Sequence, residues 1–339
     1  MISESKKKTL LVLEDGQKVT RAIGPEFEKN GWEVITYKDA TGVLVMARQI
    51  EADVMIVDAQ LRGAGILSAL KSFARNANTA SIPIIVLLGR AGPKVKELTD
   101  AGARATIEES ADPAQFVRLA EQHRLDELDF TTAPKEVLED PKRLDALVAS
   151  RLLDSPPDGA FDRLTKLASR LIVVPVSLAS FVAADRQFFK SDVGLEGPWK
   201  ERRGTPLSHS FCQWVVSARE PLVVDDAKRH KVLRSNSAIE DLGVVAYAGV
   251  PVVGDGGEPI GSMCAIDHQA RKWTREDIET LMDLALVAQA YALRLPEAVK
   301  EALQAVTRLM RRYGARLRDD ERDELLRIID EQTALLAPG

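Results

Sequence analysis

Residues 245–267, VAYAGVPVVGDGGEPIGSMCAID, contain two apolar, β-rich runs separated only by a glycine-rich turn. Upstream lie three more strand-like runs, VPVSLASFV (174–182), QFFKS (187–191) and PLVV (221–224). Helical spacing occurs only around 210–218 and from 275 to 293. Strand runs with no helix between each pair argue for an antiparallel sheet flanked by helices, an α+β domain. Residues 142–172 precede it as two amphipathic helices, broken at Ser155-Pro156-Pro157-Asp158, where Asp158 can cap the second helix.

The N-terminal part alternates differently. Short apolar runs at 9–13, 33–37, 54–57, 84–88 and 105–107 are separated by longer segments of helical spacing. That is the pattern of a five-stranded parallel sheet covered by helices on both faces, a small doubly wound α/β domain. Between the two patterns, RLDELDFTTAPKEVLEDP (124–141) is polar, acid-rich and carries two prolines, and reads as a linker. After Pro296 two further helices follow, 297–313 and 319–336, with Gly314 at the break. The first ends in arginines and the second opens with acids, each block where the helix dipole favours it, so the pair reads as a hairpin with solvated ends. Its apolar stripe, from Val299 to Leu336, needs a partner: the preceding domain or a second copy of the chain. The expected organisation is 8–125, a linker 126–141, 142–295 and a C-terminal helical hairpin 296–339.

The 339 residues carry 46 Lys and Arg against 51 Asp and Glu, a net charge of −5, so no global field favours nucleic acid or an anionic membrane. The hydrophobic share of 45% suits ordinary soluble cores, and two cysteines exclude a disulfide scaffold. The opening MISESKKKTLLVLED has too short an apolar run for a signal-peptide core or a membrane span, which leads us to expect a cytoplasmic protein.

In a doubly wound sheet, ligands sit at the carboxyl ends of the strands. Glu14 and Asp15 follow the first strand directly and Asp58 follows the third. Three carboxylates gathered there call for a divalent cation or a basic side chain, although each alone could simply cap the next helix. With LLVLED, DVMIVDAQL, IPIIVLLG and GARATIEES in this order, residues 8–123 resemble a two-component receiver domain. The resemblance implies Mg²⁺ held at Glu14, Asp15 and Asp58, with Asp58 as phosphoryl acceptor. Two switch positions depart from the pattern: Leu88 replaces a hydroxyl residue, and Glu109 stands where a lysine is expected. A phosphoryl group adds about −1.5 to −2 charge, which this acid site would repel. The expectation is a pseudo-receiver that is not phosphorylated; a phosphorylatable response regulator is the alternative.

From about 143 to 295, LLDSPPDGAFDRLTKLASRLIVVPVSLASFV, DRQFFKSDVGL, TPLSHSFCQWVV, EPLVVDDA, VVAYAGVPVV and GEPIGSMCAID resemble a GAF domain of the bacterial sensor type. The resemblance implies a six-stranded antiparallel sheet with helices behind it and, on its other face, a pocket for an unidentified small ligand or a protein. Pocket candidates are Phe181, Phe189, His209, Cys212, Asp226, Tyr247, Cys264 and Asp267, with Ser208 capping the short helix. The aromatics in strand runs read equally well as core. A structural or small-ligand pocket ranks first. A redox thiol at Cys212 comes second, since Cys264 is not an obvious resolving partner, and a metal or tetrapyrrole site comes last for lack of a CxxC pair or the family's bilin segments. No kinase, GGDEF, EAL or HD motif and no convincing DNA-reading helix pair is present. The chain is expected to be a bacterial signalling adaptor and no enzyme, with protein partners, homodimerisation through the C-terminal stripe, no nucleic acid and no membrane insertion.

Overall fold

The computed structural model describes residues 7–38, 42–50, 52–60, 65–89, 93–124 and 132–336, and the chain divides into two units, Met1–Asp129 and Phe130–Gly339. The first comprises β1 (Lys8–Leu13), α1 (Lys18–Lys29), β2 (Trp32–Tyr37), α2 (Val43–Ile50), β3 (Val54–Asp58), α3 (Ile66–Arg75), α4 (Ala77–Ala80), β4 (Ile84–Leu88), α5 (Val95–Asp100), β5 (Ala105–Glu108) and α6 (Pro113–Arg124). All strands are parallel, in the order β2-β1-β3-β4-β5. Both faces are covered, which is why β1 is apolar throughout its buried Leu10–Leu13 stretch. Leu10 and Val12 pack with Phe27, Trp32 and Phe116, while Leu11 and Leu13 pack with Val43, Leu70 and Phe73 on the other face. The strands expected from the sequence are present to within one residue at each end.

The second unit comprises α7 (Lys135–Leu138), α8 (Pro141–Ser150), α9 (Gly159–Ile172), β6 (Val176–Val182), β7 (Arg186–Val193), α10 (Gly197–Arg202), β8 (Gly204–Pro206), α11 (Cys212–Ala218), β9 (Leu222–Val224), α12 (Ala238–Asp241), β10 (Ala246–Val253), β11 (Pro259–Asp267), α13 (Arg275–Leu293), α14 (Pro296–Tyr313) and α15 (Asp319–Ala334). Its antiparallel sheet runs β8-β7-β6-β11-β10-β9. Asp158 caps α9 as expected, accepting from the amide of Ala160 at 2.9 Å. Of the stretch expected to be a linker, residues 126–131 lie outside the described residues. Residues 132–141 are built into the second unit. Ala133, Val137 and Leu138 are buried, and the buried guanidinium of Arg143 donates to the carbonyls of Val137, Leu138 and Val182.

One face of the sheet, carrying Ala179, Phe181, Ala248, Val250, Met263 and Ala265, packs on α9 and α13. The C-terminal hairpin then covers those helices. Val299, Ala302, Val306, Leu309, Leu325 and Ile328 belong to the same core and are almost wholly buried within one chain. The stripe is therefore not available for dimerisation, because the preceding domain already covers it. The charge blocks are largely solvated, as expected, but some of their members also find tertiary partners. Arg308 and Arg312 bond Asp283 of α13 at 2.7 and 3.0 Å, Arg163 of α9 pairs with Glu331, and Arg170 bonds Asp320 at 2.5 Å. A carboxylate placed in this core would lose its hydration without gaining a partner. Val306→Asp is expected to destabilise the second unit by about 3–5 kcal/mol in urea unfolding, whereas at an exposed dimer face it would leave the isolated chain's stability unchanged.

Candidate functional site

At the carboxyl edge of the parallel sheet, Glu14 is buried. Its carboxylate accepts from the amides of Val19 and Thr20 at 2.7 and 2.8 Å and from the Thr20 hydroxyl at 2.5 Å. Both oxygens are thus spent on the first turn of α1, whose N-cap residue, Gln17, makes no side-chain cap. Asp15 is exposed, and Asp58 accepts from the amide of Gln60 at 2.8 Å. Among the described residues no group of three or more His, Cys, Asp or Glu side chains could hold a metal ion. Of the three acids of the expected cation site, Glu14 is thus engaged as a helix cap. Leu88 and Glu109 line the cleft beside this edge, together with Lys18, Gln60 and Gly89. Lys18 forms an ion pair with Glu109. A cation does reach the cleft from α1, but it is matched by the acid at the expected lysine position.

In the second unit the free sheet face is roofed by α11 and by the segment containing α12. Between them lies a cavity of about 20 Å³ lined by Leu178, Phe189, His209, Cys212, Leu242 and Tyr247, among others. It has room for about one water molecule, so no ligand of nucleotide size fits this conformation. Four of the pocket candidates, Phe189, His209, Cys212 and Tyr247, do line it. Phe181 does not: strand alternation turns it to the opposite face, edge-on to Phe161 with centroids 6.0 Å apart. Asp226 instead caps a short turn through the amide of Lys228 at 3.1 Å. Asp267 ends β11, accepting from the amide of Gln269 at 3.1 Å. Ser208 does not cap α11. Its hydroxyl is 2.9 Å from His209 Nδ1, and Ser210 accepts from the amide of Gln213 at 3.1 Å. His209 also reaches Asp241 through Nε2 at 2.8 Å and packs on Trp199 with centroids 4.8 Å apart.

Cys212 and Cys264 are both fully buried free thiols. The sequence offered no reason to join them, yet the fold does. The Cys212 sulfur accepts hydrogen bonds from Ser180 at 3.0 Å and from Tyr247 at 3.3 Å, and Cys264 lies on the same face, opposite Gly249, whose vacant side-chain space the Tyr247 hydroxyl fills. Hydrogen bonding within this cluster, led by Cys264, lowers the Cys212 thiol to about 7 against the opposing effect of burial. The same pairing pushes Cys264 up. Ser180 and Ser262 were not singled out beforehand. The available signal was a hydroxyl inside an otherwise apolar strand buried on both faces.

Residues 156–290 match the GAF domain family, so the second unit contains a GAF domain. A curated relative, Cyclic di-GMP phosphodiesterase PA2567 of Pseudomonas aeruginosa, is 28% identical over 182 residues. The match covers 52% of this chain and 30% of that protein, so the chain spans less than a third of the relative's length. Solved structures similar to the N-terminal region are receiver domains. Chemotaxis response regulator CheY4 of Vibrio cholerae is 19% identical with a TM-score of 0.32, covering 34% of this chain and 98% of that one. The receiver domain of sensor histidine kinase PA1611 of Pseudomonas aeruginosa, solved with magnesium in its cleft, is 20% identical with a TM-score of 0.33, covering 35% and 99%. Among the described residues no helix is long and apolar enough to cross a membrane.

The segment walling the cavity also contains His230, whose Nδ1 accepts from the amides of Val232 and Leu233, both at 3.2 Å. Burial lowers this ring to about 4, below its unfolded value of about 6.5. The neutral ring's contribution is therefore complete above about pH 6.5 and is lost as pH falls towards 4. Unfolding at pH 7.5 and pH 5 should show this loss, with a full span on the order of 2–3 kcal/mol. His230→Asn keeps an acceptor without the titration, and should flatten that part of the pH dependence.

Proposed function

We propose that this protein is a signalling adaptor in which a receiver-like unit that does not undergo phosphoryl transfer is joined to a GAF domain, with output through protein contacts. The observation that carries this reading is the commitment of Glu14. A receiver of the switching kind uses its acidic pair to hold Mg²⁺, whereas here both oxygens of Glu14 are engaged by α1. Leu88 offers no hydroxyl to a phosphoryl group, and Glu109 adds negative charge where a cation would be needed. The GAF cavity of about 20 Å³ supports contact-based output over sensing of a large metabolite. The activity in the relative's name is not carried over, because the match covers only 30% of that protein. Since the hairpin stripe is buried within one chain, a homodimer would have to use another face. Incubation with acetyl phosphate and Mg²⁺ is expected to leave Asp58 unlabelled. A stable, acid-labile phosphate that disappears in Asp58→Asn would overturn the reading in favour of a phosphorylated response regulator.

A further inference from the structure

The thiol cluster beside the cavity is independent of the receiver cleft and is not explained by an adaptor role. Its geometry follows from the sheet. Gly249 of β10 and Cys264 of β11 are direct cross-strand partners, so their side-chain positions lie side by side on the roofed face. With no side chain at Gly249, the Tyr247 hydroxyl occupies that space; an added Cβ would stand 2.2 Å from it. From there it donates to Cys212, which α11 lowers onto the same spot. Ser180 and Ser262, cross-strand partners on β6 and β11, complete the cluster. Both thiols, both serines and the tyrosine are buried, and Cys212 is exposed only to the cavity of about 20 Å³.

We propose that Cys212 and Cys264 form a reversible redox site in which hydrogen peroxide entering the cavity converts the two thiols to an intramolecular disulfide. The cavity selects an oxidant little larger than water. In the first step the Cys212 sulfur, as thiolate, attacks one peroxide oxygen. The O–O bond breaks and an S–O bond forms, leaving a sulfenic acid and a hydroxide that is protonated to water. The Cys264 sulfur then attacks the sulfenyl sulfur, forming the S–S bond and breaking S–O. Hydroxide departs and takes up the Cys264 proton as a second water. Two thiols lose two electrons in total and one peroxide gains them. The attacking role falls to Cys212 because it lines the cavity and receives the Ser180 and Tyr247 hydrogen bonds, and the resolving role to Cys264, which does not line the cavity. Bond formation brings the two sulfurs to about 2 Å, which draws α11 towards β11 and weakens Cys212 as acceptor of the Ser180 and Tyr247 hydroxyls.

The test uses the full, reduced chain. Equimolar hydrogen peroxide is expected to make it lighter by two hydrogen atoms, with the Cys212 and Cys264 peptides linked within one chain and the original mass restored by dithiothreitol. In Cys264→Ala, oxidation should stop at a sulfenic acid on Cys212 that dimedone captures. Two free thiols after treatment, separate oxygenation without a cross-link, or a link only between two chains would each overturn the proposal. Sulfenic acid forming on Cys264 in Cys212→Ala as fast as it forms on Cys212 in Cys264→Ala would overturn the assigned order of attack.

Discussion

The second unit depends on a sheet that is buried on both faces. Its central strands, β6, β10 and β11, have helices α9 and α13 against one side and α11 against the other. A strand in that position cannot place a polar group towards water, so each hydroxyl or thiol on it must find a partner inside the protein. Ser180, Ser262, Tyr247 and the two cysteines satisfy one another for this reason. The same constraint closes the pocket. With Phe189, Phe211 and Tyr247 filling the roofed face, little free volume remains. Behind the sheet, α13 is in turn covered by α14 and α15, so the burial extends outward in layers from one set of strands.

In the first unit a carboxylate at the carboxyl edge of the parallel sheet is drawn into capping the next helix. The carboxyl ends of β1 and β3 still deliver Glu14 and Asp58 to one edge. Yet α1 begins without a side-chain cap of its own, and Glu14 supplies the missing acceptors from the strand before it. A carboxylate satisfied in this way gains about 1.5–3 kcal/mol per charge-assisted bond, so withdrawing it to ligate a cation would leave the amides of Val19 and Thr20 without acceptors.

Much of this was legible in the sequence. Period and run length located every strand of the first sheet and five of the second, and the GAF resemblance supplied the sixth; β8, Gly204–Pro206, is three residues long and leaves no periodic trace. The helix α13 fell where its spacing placed it. Strict alternation separates Phe181 from Phe189: Phe181 lies opposite Phe188 and shares its face, whereas Phe189 lies opposite Ser180 on the other face. The thiol pair was hidden because Cys212 and Cys264 lie on a helix and a strand brought together only by tertiary packing. The function of the C-terminal charges was hidden similarly. A row of arginines beside a row of acids looks self-sufficient locally, whereas Arg312 and Glu331 find their partners on α13 and α9. For the same reason the polar stretch 132–141 looked like a linker until Arg143 and Gln213 tied it down.

The pairing of Arg163 with Glu331 also bears on how the chain folds. The two residues are separated by 168 positions, so this contact cannot form until nearly the whole unit has emerged from the ribosome. Until then the faces of α9 and α13 that the hairpin covers, apolar patches included, remain uncovered. Long-range closure of this kind slows folding, and a nascent chain with such a face exposed is a natural client for a chaperone.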